Sequence, residues 1–310
     1  MSPKINTVKN LLLILAMALL TACQAGRKNE PKLLNDLDSA IGTEGLHSLD
    51  QIYHLYPSPA EMLSIIDITN TSYDESILNP TTAVDQYMDS RTRSYNLGIY
   101  MTDLAYTALF GRHEATLDYL EVVRALAEEI RIEEAVNDVL IDKARSNVED
   151  LDSLYQVTND AFMNILEYCD RTERSNTVVM LSAGAFSESL FLAVSQIDDY
   201  QTADDMLQHL ADQKYTINNF MRFAESVKGN DPNVTSTIAD LQNIKRIYDG
   251  ISPGTGQVKI KTNEDETGDQ PKKLVIGSGG EDTQPSMNEE EFLELKSAII
   301  ELRTKIIEGS

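Results

Sequence analysis

Apolar residues recur at steps of three and four along most of the chain. Val136, Leu140, Ala144, Val148, Leu151 and Tyr155 keep that spacing, and so do Met206, Leu210, Ile217, Phe220, Ala224 and Val227, with one polar interruption at Gln213. Such stripes are the core-facing sides of amphipathic helices. Strands would need turn residues roughly every 8–12 positions. That punctuation is missing: no proline lies between Pro80 and Pro232, and glycine occurs there only at 98, 111, 184 and 229. The pattern predicts an all-α chain with helices over roughly 81–110, 113–130, 133–148, 150–171, 175–200, 202–228 and 232–249. The breaks rest on Gly111, Arg131-Ile132, Glu149-Asp150, Arg174-Ser175 and Gln201-Thr202. Segments 133–148 and 150–171 can be read as one helix or two. Short connections predict antiparallel neighbours in an irregular multi-helix bundle or a helical-hairpin array. No fixed repeat of the tetratricopeptide kind is present.

Two stretches are apolar on nearly every side, Leu97 to Phe110 and Val178 to Phe191. Both are expected to be buried by neighbouring helices, and neither reads as long and apolar enough to span a membrane. Each contains one glycine, Gly98 or Gly184, which would let another helix approach closely. Ahead of them, Ser58-Pro59-Ala60-Glu61 has the form of a capping box with proline at the first helical position. Asn79-Pro80 is expected to open the next, longer helix in the same way.

Between 250 and 287 lie seven of the fifteen glycines and clusters such as Glu264-Asp265-Glu266. We read 251–287 as a flexible linker, with a root-mean-square span of about 30–37 Å. Val258 to Lys261 and Leu274 to Ile276 could pair as a small hairpin within it. Ser286-Met287-Asn288-Glu289 reads as a second capping box. Phe292, Leu295, Ile299, Leu302 and Ile306 then form an apolar stripe, which Leu293, Ile300 and Ile307 widen on one side. This terminal helix, 288–310, must bury its face on its own body, on a second copy or on a protein partner. Partner binding or self-association through those five residues is the expectation.

The amino terminus has the three parts of a secretory signal. Lys4 and Lys9 precede an apolar run from Leu11 to Leu20, and small residues follow. The run has about half the 20 or so residues that a spanning helix needs. Leu20-Thr21-Ala22-Cys23 resembles the lipobox of bacterial lipoprotein precursors. The resemblance implies cleavage before Cys23, lipid on its thiol and acylation of its new amino group. Stable anchoring follows from several acyl chains, at about 0.8 kcal/mol per buried methylene. Gln24 is not the Asp that resembles an inner-membrane retention signal. The expected location is therefore the outer membrane, with the body facing the periplasm. The chain divides into a signal (1–22), an anchor and tether with a short helix (23–52), a helical domain (53–250), the linker and the terminal helix.

Removing the signal removes two lysines and no acid, which takes the net charge from −24 to −26. Such a body is repelled by nucleic acid and anionic lipid. With Cys23 lipidated, Cys169 has no partner for an intramolecular disulfide and reads as a buried, inert thiol.

Candidate chemistry is sparse. His47, His54, His113 and His209 form no helical metal pair, and no phosphate loop, dinucleotide fingerprint or nucleophile elbow occurs. We expect no metal, no cofactor and no catalytic activity. Asp103 and Glu188 are the exceptions, carboxylates on helices expected to be buried. Such a charge must be paired, protonated or hydrogen-bonded. Tyr100 and Tyr106 flank Asp103 by one turn, and Ser187 and Ser189 flank Glu188. If the two helices face each other, Tyr100, Asp103, Tyr106 and Glu188 could hold a cation or a polar ligand. The plainer reading is that tyrosine, serine, Arg91 or Arg93 satisfies each carboxylate and fixes packing. Gly98-x-Tyr100-x-x-Asp103 resembles the Gly-x-His-x-x-Glu signature of imelysin-like helical lipoproteins only at the glycine, so that family is not adopted. The overall expectation is a lipid-anchored, non-catalytic interaction or scaffold module, with a small-ligand or cation-binding lipoprotein as the alternative.

Overall fold

The structure, a computed structural model, describes residues 58–64, 66, 71–147, 149–251 and 287–308. The signal, the tether and its short helix, and 252–286 with its hairpin lie outside the described residues. Among those described, every regular element is helical. The α-helices are α1 (Pro59–Leu63), α2 (Ser90–Leu109), α3 (His113–Glu129), α4 (Asp138–Ser146), α5 (Leu151–Arg171), α6 (Ser175–Ser195), α7 (Asp204–Val227), α8 (Pro232–Gly250) and α9 (Glu289–Ile307). The chain is an all-α, multi-helix bundle.

The capping chemistry explains most of the boundaries. Ser58 and Glu61 close the expected capping box around α1. Asp89, Asn137, Asp150 and Asp231 each accept backbone N–H groups at the start of α2, α4, α5 and α8. The first expected helix is therefore corrected: 81–86 is a 3-10 turn, and the α-helix begins at Ser90. Asn79 caps nothing, because its side chain bonds Tyr87 instead. Residues 133–171 form two α-helices, separated where Asp150 caps the second. The terminal capping box is also corrected, to Asn288 with Glu291, two residues beyond the expected pair.

Three helices end alike. Gly111, Arg131 and Glu173 take left-handed φ values of 64°, 61° and 56°. The next N–H then reaches back into the last turn: Arg112 to the Thr107 carbonyl, Ile132 to Ala127 and Arg174 to Cys169, at 2.7–2.8 Å. These are Schellman closures, which usually recruit glycine. The Arg174 guanidinium adds bonds to the Arg131 and Ile130 carbonyls and ties the end of α3 to the start of α6.

At the centre, α2 lies against α6. A Cβ at Gly98 would stand 1.9 Å from the Leu181 carbonyl oxygen, and one at Gly184 would stand 1.9 Å from that of Tyr95. Each glycine thus meets the residue three before the other glycine, and the two backbones touch reciprocally. Helices α3 and α5 flank α2, while α7, α8 and α9 cover α6. By length and composition α6 could cross a membrane, with mean hydropathy 1.7, contrary to the sequence expectation, yet 94% of that stretch is buried in the body. It is a core helix.

Helix α9 packs against α6, α8 and α2 of its own chain. Phe292, Leu295, Ile299, Leu302 and Ile306 are all buried there. Of the three surfaces expected to cover this stripe, the chain's own body is the one that covers it here. Of the three residues expected to widen it, only Ile307 packs against the core, half-buried. Ala298 and Arg303 turn inward, whereas Leu293 and Ile300 are 56% and 42% exposed. Helices α8 and α9 run antiparallel, since Arg246 pairs with Glu294 and Asp240 with Lys305.

Candidate functional site

The glycine crossing places Asp103, five residues after Gly98, beside Glu188, four residues after Gly184. Both carboxyls are fully buried. Their cation is Arg303 of α9. Its Nε donates to Glu188 Oε2 at 2.7 Å and its Nη2 to Oε1 at 2.9 Å. Nη2 also donates to the Ile77 carbonyl at 2.9 Å, and the guanidinium carbon sits 4.0 Å from the Phe191 ring centroid. A bidentate fork with a ring face beneath it is the geometry that arginine satisfies and lysine does not. Arg91 and Arg93, the expected partners, are engaged elsewhere, with Asp240 and with Glu129 and the Tyr87 carbonyl. Ser187 and Ser189 donate to the Ala183 and Ala185 carbonyls of their own helix.

Asp103 Oδ2 accepts the Asn79 backbone N–H at 3.1 Å. Its other oxygen has no N–H or serine, threonine or tyrosine hydroxyl aimed at it, and the side chain it meets is Glu188. Burial, and then the Glu188 charge, raise the Asp103 carboxyl well above the ordinary carboxylate range. Burial raises Glu188 too, but the Arg303 charge and the bond from Asp103 oppose that shift. Two like charges in contact cannot both be kept in a buried site. Burial and the Glu188 charge thus favour a proton on Asp103, while Arg303 favours the charged form of Glu188. Burial also works against the Arg303 charge, and Glu188 more than restores it. Asp103, Glu188 and Arg303 together form a neutral unit.

The tyrosines grip the loop before α2. Tyr100 donates to the Pro80 carbonyl and Tyr119 to the Asn79 carbonyl, both at 2.8 Å. The Asn79 amide donates to Tyr87 at 2.9 Å. With Asp103 and Arg303, Tyr100 and Tyr119 pair the Asn79 N–H and the Ile77, Asn79 and Pro80 carbonyls, polar backbone groups that folding would otherwise leave without partners. Burial raises the Tyr87, Tyr100 and Tyr119 hydroxyls, so all three stay protonated, Tyr100 and Tyr119 as donors and Tyr87 as the acceptor of the Asn79 amide. Tyr106 stands apart from the group expected for it. It accepts from the Asp74 N–H and the Gln196 amide, and it stacks on Tyr73.

The structure thus brings Tyr100, Asp103 and Glu188 together, with Tyr106 a turn away. Sequence reasoning missed Arg303, Asn79, Tyr87 and Tyr119. Arg303 did carry a signal: four residues after Ile299 and three before Ile306, it is a charge within the apolar face. Among the described residues no three of His, Cys, Asp and Glu converge where they could hold a metal ion. Cys169 is buried, and burial pushes its thiol up to about 11, far from a reactive thiolate. The arrangement can hold a proton, fix a guanidinium and clamp a loop; it presents no free nucleophile. No protein-family model matches this chain, and no curated protein or solved structure matches it either.

Proposed function

We propose that this chain is a lipid-anchored cell-envelope protein whose helical body is a non-catalytic interaction or scaffold module. A lipid on Cys23 holds it in the outer membrane, with the body facing the periplasm. One observation carries the reading of the body. Its buried charged side chains, Asp103, Glu188 and Arg303, are used on one another and on the backbone at Asn79 and Ile77. Their work is to join α2, α6, α9 and the 77–80 loop. A polar or cationic ligand would have to displace the Arg303 guanidinium, which makes the ligand-binding reading second.

Two measurements test this. Radiolabelled palmitate should enter the wild-type chain and not Cys23→Ser, and equal labelling of both removes the anchor. Cross-linked pull-down from native envelopes should retain a specific partner, either another protein or a second copy. Profiles identical to those of an unrelated acidic helical protein remove the module.

A further inference from the structure

The groove between α2, α6 and α8 is a recognition site with its occupant in place. It offers a guanidinium two carboxylate oxygens, the Ile77 carbonyl and the Phe191 face, and it offers an apolar stripe a covered surface. The occupant is largely self-contained. Helix α9 carries its own capping box, three glutamates in its first turn and Lys305 in its last, so most of its capping comes from within, while the body adds one bond at each end, Tyr200 to the Met287 carbonyl and Asn96 to the Ile306 carbonyl.

The connection is the anomaly. Arg246, near the end of α8, contacts Glu294, near the start of α9, at 2.8 Å. Antiparallel neighbours whose ends lie this close are joined by about 2–8 residues in helical bundles. Here 35 residues, 252–286, intervene. Fully extended they would reach about 120 Å, against a length of about 28 Å for α9. The surplus does nothing for docking within one chain, and it suffices for docking on a neighbour.

We infer that α9 exchanges between copies: Arg303 of one chain enters the Glu188 site of a second copy, and the second copy reciprocates. The inference rests on the interaction-module reading and names the partner. Docking across copies makes the same contacts as docking at home, so concentration decides between them. A tethered arm has an effective concentration of the order of millimolar. Once one arm has crossed, the second crosses within the same complex, which closes a two-fold dimer. Confinement at a membrane through Cys23 raises the local concentration of neighbours. The net charge, −24 for the full chain and −26 once the signal is removed, opposes the encounter, so added salt favours the dimer.

The test mixes two full-length chains with different tags. Arg303→Ala has an intact groove and a disabled arm; Glu188→Gln has the reverse. Light scattering after size exclusion should show a 1:1 heterodimer, at least tenfold more abundant than the homodimer of either variant alone. A mixture that stays monomeric overturns the exchange. Should either variant lose its helical circular dichroism, the wild-type chain lacking 256–281 decides, since it retains groove and arm. It should stay monomeric where the full-length chain dimerises and dimerises further with salt; equal dimer in both overturns the proposal. Monomeric mixtures together with a foreign protein in the envelope pull-down would remove the exchange and keep the module. Failure of both removes both.

Discussion

The two junctions of α6 are built on opposite principles. Against α2 it meets backbone to backbone at the glycines, with mostly apolar side chains around them and Asp103 beside Glu188 further along. Against α9 it meets through side chains, with a buried charge fork at the centre and an aliphatic stripe beside it. The first junction depends on what is missing, a pair of Cβ atoms, and tolerates no addition. The second depends on a matched pair and tolerates no single removal. The difference shows that one helix can carry both a backbone seam and a side-chain seam.

Substitution of Gly98 or Gly184 should give the largest effect. Gly184→Val leaves no room at the Tyr95 carbonyl. We expect no folded protein, and Gly184→Ala should lose at least about 3 kcal/mol by chemical denaturation. A folded, wild-type-like Gly184→Val would mean that the seam can open. Breaking the fork comes next. Glu188→Gln should cost about 3–5 kcal/mol, because Arg303 remains buried without a counter-charge. Replacing both members with methionine should recover most of that loss, since a matched apolar pair avoids the desolvation. A double variant as unstable as the single would refute the matched-pair description.

A smaller effect separates the two acids by pH. The folded Asp103 carboxyl is raised above its unfolded value of about 3.9. Its stabilising contribution is therefore complete below that value and is lost as pH rises through the folded one. Asp103→Asn keeps a donor towards Glu188 without a titrating proton. It should match the wild type near pH 4, grow more stable than the wild type as pH rises, and flatten the stability profile. Parallel profiles would place the proton elsewhere. The smallest effect lies at the helix ends. Arg131→Gly and Glu173→Gly should each gain about 0.5–1 kcal/mol in thermal denaturation, as left-handed strain outweighs the entropy of glycine.

The sequence carried the local part of this structure and lost the long-range part. Caps at Ser58 and Asp150 and breaks at Gly111, Arg131 and Arg174 are written within a few residues, because a capping bond or a reversed turn spans one helical turn. The start of α2 was misplaced because Asn79-Pro80 looks like a helix opening, whereas Tyr87, Tyr119 and Asp103 draw Asn79 into the clamp. Asp103 and Glu188 stood out as acids on apolar helices. Their meeting could be anticipated from the paired glycines, but their partner could not. Nothing local ties Arg303 to Glu188, 115 residues earlier. The terminal stripe was legible as a face to be buried, while what buries it was set by the rest of the fold.

That separation has a consequence for the order in which the protein is made. At about 5–20 residues per second, the ribosome reaches Arg303 some 6–23 s after Glu188. A crossing formed before Arg303 docked would hold two acids with no arginine to balance them. A product interrupted before codon 303 would retain every helix of the seam and still lack its counter-charge. Completeness of the chain is thereby recorded at the centre of the body, as the counter-charge that only the last helix brings.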